Sequence, residues 1–162
     1  MTRLITTFLG AGMLSPAPGT WGSLAALPVA WILHKIGGFP LLALGTVLVF
    51  FIGWWATAIE VRGADNQDPS EIVIDEVAGQ WIALWPLSWG AASAGADISG
   101  LWPGWIAAFL LFRLFDIVKL GPVGWADRLH SPLGVMLDDI FAGIMAAIVV
   151  LGLAGLYHGV LS

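Results

Sequence analysis

Two pairs of adjacent carboxylates, Asp75-Glu76 and Asp138-Asp139, stand where charged sequence gives way to long apolar runs. Each pair is followed by the same small residues, Ala78 and Gly79 after Asp75, and Ala142 and Gly143 after Asp139. On a helix that spacing sets an alanine and a glycine one turn below the acid on its own face, where a neighbouring helix can approach closely. Adjacent carboxylates repel, and a hard cation relieves the repulsion. Magnesium suits such a site, because it takes oxygen ligands and keeps waters that a phosphate can replace. The expected ligands are Asp75, Glu76, Asp138 and Asp139. Glu71 joins them as the i−4 neighbour of Asp75 if Asp68-Pro69-Ser70 starts that helix, with Asp68 as its cap. A plainer role for acids at helix starts is to complement the free N–H groups there, worth about 0.3–1 kcal/mol each. One acid would need no other explanation; two pairs at matching depth do.

A second group has phosphate chemistry. Arg113, Asp116 and Lys119 recur every three residues on one helical face, either as an intrahelical ion-pair ladder or as two cations beside an acid that suit a phosphate. Asp116 is expected to orient Lys119 or to act as a base. In the Gly121 to Leu137 connection, Arg128 is a further candidate cation, while His130 reads as a surface histidine. Upstream, the run Ser15-Pro16-Ala17-Pro18-Gly19-Thr20 is a rigid turn feeding a helix, so Gly19 and Thr20 would offer backbone N–H groups to an anion, or Thr20 would merely cap the helix.

The elements that hold these groups are membrane helices. Of 162 residues, 59% are hydrophobic and 10% charged, with a mean hydropathy of +0.90, which excludes an ordinary soluble domain. Six basic residues against eleven acidic ones, a net charge of −5, lack the basic footprint that nucleic acid requires. The absence of cysteine excludes a thiolate metal site or a cysteine nucleophile. Five hydrophobic segments emerge, Thr20 to Leu33, Phe39 to Ile59, Val77 to Ala92, Ser99 to Phe112 and Ile140 to Tyr157. A bilayer core of about 30 Å needs roughly 20 apolar residues per helix, so the first, third and fourth segments need tilt or flanking tryptophans. Met1 to Ala11 reads as a retained N-terminus. The expectation is one all-helical membrane domain over residues 1–162, a compact bundle of about five segments.

If all five cross, Arg3, Arg62, Arg113, Lys119 and Arg128 share the side of the N-terminus and only Lys35 lies opposite, which places the N-terminus in the cytoplasm. Ten of the eleven acids fall on that same side, Asp97 being the exception. Insertion makes little demand on acids, so their concentration there signals function. The tryptophans, Trp81 and Trp85 among them, mostly fall near span ends and read as interfacial anchors, as do His34 and His158.

Four ordered blocks carry a family resemblance: Ser15-Pro16-Ala17-Pro18-Gly19-Thr20-Trp21-Gly22-Ser23, Asp68-Pro69-Ser70-Glu71-Ile72-Val73-Ile74-Asp75-Glu76-Val77-Ala78-Gly79, Phe112-Arg113-Leu114-Phe115-Asp116-Ile117-Val118-Lys119, and Gly134-Val135-Met136-Leu137-Asp138-Asp139-Ile140-Phe141-Ala142-Gly143. From about Gly10 to Ile148 the chain resembles the phosphatidylglycerophosphatase A family of bacterial membrane lipid phosphatases. The family usually continues its lysine with proline, whereas Leu120-Gly121-Pro122 follows Lys119 here. The resemblance implies an all-helical enzyme of the bacterial cytoplasmic membrane that uses Mg²⁺ to remove the phosphate monoester from phosphatidylglycerophosphate. In that role Asp75, Glu76 and Asp139, helped by Asp138 or Glu71, would hold the metal, and Arg113, Lys119 and Arg128 would neutralise the phosphate.

Two other readings compete. A small cation or proton transporter would use the same acids, but transport sites usually lie near mid-membrane, and the interiors of the second and fifth segments carry no charge. A phosphotransferase acting on a nucleotide-activated lipid would also use magnesium and aspartates, yet the chain lacks the Asp-Gly dipeptide that opens that acidic motif.

Overall fold

The computed structural model describes residues 1–160, with side-chain surroundings through Tyr157; His158 lies outside the latter. Six α-helices account for most of it and there is no strand among the described residues: α1 (Thr2–Thr6), α2 (Pro18–Glu60), α3 (Ile74–Ala94), α4 (Trp102–Val118), α5 (Pro122–Asp127) and α6 (Pro132–Val160). Short 3-10 turns at Ala11–Met13 and Ile98–Leu101 precede α2 and α4. Three helical stretches are long and apolar enough to cross a membrane: Pro18–Glu60, Ile98–Val118 and Pro132–Tyr157.

The first two predicted segments fall in α2, which is interrupted. At 43 residues an unbroken helix would extend about 65 Å, twice a bilayer core. Gly37 (φ −140°, ψ 16°) and Gly38 (φ 62°, ψ −157°) leave helical geometry, and the Gly38 conformation is one that side chains resist. The chain doubles back there. Leu33 reaches Gly45, and the outer ends of both halves return to the start of α3, where a Cβ on Gly22 would stand 2.6 Å from Val73 Cβ and one on Gly53 3.0 Å from Ile74 Cγ1.

Helix α3 is the central post. From Val77 to Ser88 it is almost wholly buried, with Val77, Trp81, Leu84 and Leu87 packed against α2, α4 and α6. Trp81 is therefore not an interfacial anchor. It is 3% exposed and donates to the Ala26 carbonyl at 2.9 Å, while Trp85 donates to Thr46 Oγ1 at 3.2 Å. At the far end, Lys35 pairs with Asp97 at 2.6 Å, Trp31 donates to Ser99 at 3.0 Å, and His34 Nδ1 lies 2.7 Å from Ser88 Oγ.

The bundle is turned inside out relative to a water-soluble protein. Leu48, Phe51 and Trp55 of α2 and Ile148 and Leu151 of α6 face outward, whereas Ser23, Thr46, Gln80, Ser88, Asp75 and Asp139 are buried. An apolar exterior around a polar interior is what a hydrocarbon solvent selects.

Candidate active site

At the end of the bundle shared by the N-terminus, the starts of α2, α3 and α6 meet the end of α4 around an open cleft of about 280 Å³. Asp75, Asp138 and Asp139 lie on its floor, each buried, with one carboxylate oxygen from each lying within 4.8 Å of the others. Their convergence follows from the small residues beneath them. A Cβ on Gly143 would overlap the Gly79 carbonyl and stand 3.0 Å from Gly79 Cα, and a Cβ on Gly79 would overlap the Asp139 carbonyl. Backbone touches backbone where α3 crosses α6, so the acids one turn above are drawn together.

The depth of the second pair differs from expectation. Helix α6 begins at Pro132, eight residues before the predicted segment at Ile140, so Asp138 and Asp139 sit about two turns into it. Their simple pairing with free terminal N–H groups is therefore weakened, because that effect fades beyond the first turn. Two of the three buried acids take one local amide each: Asp138 Oδ1 accepts from Asp139 N at 3.0 Å, and Asp75 Oδ1 from Glu76 N at 2.9 Å. Asp139 Oδ1 is buried with no hydrogen-bond partner.

Around this floor stand two cations. Arg113 Nη1 bridges Glu76 Oε2 at 3.0 Å and Asp116 Oδ2 at 2.8 Å, and all three side chains are about 15% exposed. Glu76 also accepts from Ser23 Oγ at 2.9 Å, and the Ser23 hydroxyl lies 3.0 Å from the Gly19 carbonyl. Gly19 has no room for a side chain, since a Cβ there would overlap the Glu76 carboxylate. Lys119 closes α4 in a left-handed conformation (φ 52°) that turns its ammonium away from the helix face and onto Asp127 of α5 and Asp138 Oδ2, the latter at 3.1 Å. Burial opposes its charge, but the hydrogen bonds and field of Asp127 and Asp138 outweigh this and hold the ammonium above its ordinary range.

The structure thus gathers Gly19, Asp75, Glu76, Arg113, Asp116, Lys119, Asp138 and Asp139 into one cleft. It corrects several roles. The three-carboxylate cluster does not include Glu76, which serves Arg113 and Ser23, nor Glu71. Glu71 precedes α3, because the turn begun at Pro69 ends at Ile72 and Val73 N donates to the Thr6 carbonyl of α1 at 2.8 Å, which stops a helix from propagating through it. Asp68 is accordingly not a helix cap. It lines the cleft, where partial desolvation raises its carboxyl above the usual range against the opposing field of Lys119. Asp116 orients Arg113, not Lys119, so the expected ladder forms only its first rung. Thr20 and Arg128 do not line the cleft, and α2 starts at Pro18 with Ala17 as its N-cap, so Thr20 is not the cap either. His130 is exposed and bonds the Arg128 carbonyl at 2.7 Å, as a surface histidine does.

Ser23 and Asp127 escaped sequence reasoning, and Asp68 reads in the sequence only as a helix cap. Ser23 lies four residues after Gly19, one turn along the same face, which is a usable signal; nothing local marks Asp68 or Asp127.

Six carboxylates and two cations line this cleft. An anion does not enter such a field unaided, whereas a hard divalent cation fits it. The buried Asp75, Asp138 and Asp139 oxygens are the hard donors such an ion prefers, and the unpartnered Asp139 Oδ1 is free to bind it.

Comparison with known proteins identifies the family. A model of the family described as Phosphatidylglycerophosphatase A matches residues 4–154. The chain is 37% identical over 150 residues to a Haemophilus influenzae protein named Phosphatidylglycerophosphatase A, covering 91% of this chain and 85% of that protein. An Escherichia coli protein of the same name is 35% identical over 147 residues, covering 90% and 78% respectively. A Bacteroides thetaiotaomicron protein with the provisional name phosphatidylinositol-3-phosphatase is 38% identical over 152 residues, covering 91% and 89%. No solved structure matches. By sequence along nearly its whole length, the chain belongs to the phosphatidylglycerophosphatase A family.

Proposed function

We propose that this protein is a Mg²⁺-dependent phosphatidylglycerophosphatase of phospholipid biosynthesis, hydrolysing the phosphate monoester of phosphatidylglycerophosphate to phosphatidylglycerol and phosphate. The single observation that carries the reading is the buried Asp75, Asp138 and Asp139 cluster flanked by Arg113 and Lys119. Names of the bacterial relatives supply the substrate.

Asp75, Asp138 and Asp139 would hold the ion. When bound, Mg²⁺ supplies positive charge against the phosphate oxygens and lowers the pKa of a coordinated water. Lys119, desolvated and pinned between Asp127 and Asp138, presents a fixed charge to the phosphoryl oxygens, so little reorganisation accompanies charge build-up in the transition state. Arg113 offers its fork to the same oxygens, with Glu76 and Asp116 fixing its plane. Gly19 lets the start of α2 close against Glu76 and completes the wall. Acyl chains need no pocket, because the bilayer holds the lipid and presents its headgroup at high effective concentration.

Topology supports this picture. We read the two halves of α2, then α3, α4 and α6, as five passes, with the N-terminus and cleft on the cytoplasmic side of the bacterial inner membrane, following the distribution of basic residues. The transporter reading has less support. Beyond Glu76 in α3 and Asp139 in α6 no charged side chain continues toward the far end, where Lys35 and Asp97 pair with each other.

The test is phosphate release by the purified protein from phosphatidylglycerophosphate in detergent micelles, with Mg²⁺ or with chelator. Release that requires the metal is expected; folded protein that releases none in either condition removes the proposal.

A further inference from the structure

A second cleft, of about 240 Å³, adjoins the first and shares Asp68 and Asp138 with it. Its lining differs in kind. Neither arginine nor lysine reaches it, so a phosphate would meet only carboxylates and neutral groups, and Val135 alone is apolar, so an acyl chain would find no match. What remains is a ligand part that is uncharged and hydrogen-bonding.

Asp65 is exposed and, like Asp68, has no hydrogen-bond or ion-pair partner among the described residues, while other lining groups are engaged within the protein. Gln67 spends its amide N–H on the Val61 and Ala64 carbonyls, Ser131 accepts from Gly134 N, and Asp127 holds Lys119. Asn66 uses its Oδ1 to accept from Asp68 N at 2.9 Å, which leaves its NH₂ group as donor. The Asp68 carboxylate has neither a hydrogen bond nor an ion pair among the described residues, leaving it as acceptor. His130 keeps Nε2 free, its Nδ1 being engaged with the Arg128 carbonyl. A donor beside an acceptor is the complement of a hydroxyl, which both gives and takes one hydrogen bond.

We propose that the second cleft is a polyol subsite: Asn66 and Asp68 grip a free hydroxyl of the lipid headgroup while the phosphate monoester occupies the first cleft. The inference rests on the phosphatase reading above. It also fits the names of the relatives, which specify lipids whose headgroups, glycerol and inositol, are both polyols that carry a phosphate. Asp68, on the wall common to both clefts, ties hydroxyl recognition to phosphate placement, and so acts on specificity.

The test compares phosphatidylglycerophosphate with an analogue whose free glycerol hydroxyl is replaced by hydrogen, in the same micelles with Mg²⁺. Wild type is expected to favour the natural lipid by about tenfold or more in kcat/KM, the usual consequence of leaving a built hydrogen-bonding site unmatched. Asn66→Asp keeps the acceptor for Asp68 N and removes the donor; Asn66→Ala removes both. In each the preference should collapse towards unity. A wild-type ratio near one, or a ratio that survives in both variants, overturns the subsite while leaving the phosphatase standing. Folded wild type that releases phosphate from neither lipid removes the phosphatase reading and the subsite with it.

Discussion

Substituting Gly143 with alanine tests whether the crossing of α3 and α6 positions the acids. The added methyl would stand 3.0 Å from Gly79 Cα and overlap the Gly79 carbonyl, both backbone atoms that cannot swing aside. Ordinary contact needs about 3.5–4 Å and the carbonyl overlap is deeper still, so the helices must part by roughly 1 Å or more. Overpacking of this kind costs about 1–3 kcal/mol, offset by up to about 1 kcal/mol that alanine gains over glycine within a helix. The net loss of stability is therefore modest, about 0–3 kcal/mol, and the protein folds. Catalysis is less forgiving, because Asp139 lies one turn above Gly143 and Asp75 one turn above Gly79, and a shift of about 1 Å in a reacting constellation can cost about 100-fold. Phosphate release measured across a Mg²⁺ titration should show a fall in kcat of that order together with a higher half-saturating metal concentration. Gly152→Ala is the control, since a Cβ there meets nothing within 4 Å on the same helix. Wild-type rate and metal dependence in Gly143→Ala would refute the argument that this contact sets the site.

Lys119→Met should lower kcat by about 10²–10³, the usual loss on removing one preorganised charge donor, whereas Asp127→Asn, which only loosens the lysine, should cost markedly less in the same assay. At the far end, the hydrogen bond from Lys35 holds the Asp97 carboxyl down at about 2, so the stability it lends is present above an ordinary carboxyl pKa of about 4 and is lost as pH falls through about 2. Asp97→Asn should therefore lower the melting temperature slightly at pH 7, with the deficit vanishing near pH 2, and leave phosphate release at neutral pH unchanged. Because the chain has no cysteine, Ala64→Cys and Ala94→Cys report topology directly. An impermeant thiol reagent applied to intact cells lacking their outer membrane should label only the second, and inverted vesicles only the first.

The acids that converge in the cleft were legible in the sequence because two kinds of signal coincide in them: charge at the edge of an apolar run, and an alanine and glycine at helical spacing below. Helical class and the apolar segments were equally legible, since hydropathy is a local property. Helix starts were not. Asp68-Pro69-Ser70 has the composition of a helix N-terminus, yet the amide of Val73 is captured by Thr6, sixty-seven residues earlier in the chain, and the helix begins only at Ile74. That long-range bond removed Glu71 from the expected cluster and moved Asp68 from cap to cleft wall. Asp138 and Asp139 marked the start of the last apolar run but not of its helix, which extends back to Pro132 through the uncharged Leu133 to Leu137. Partner choice was least legible. That Arg113 takes Glu76, and that Lys119 takes Asp127 and Asp138 and not Asp116, depends on how α4 ends in its left-handed cap and on where α5 stands.

The central claim is that Asp75, Asp138 and Asp139 together hold one metal that hydrolysis requires. The most direct measurement is Mg²⁺-dependent phosphate release from phosphatidylglycerophosphate by wild type, Asp75→Asn and Asp139→Asn, each shown to be folded by its melting curve. Both variants are expected to lose release by about 10³-fold or more, with residual activity no longer responding to the metal. Wild-type release with an unaltered Mg²⁺ response in either variant would contradict the claim.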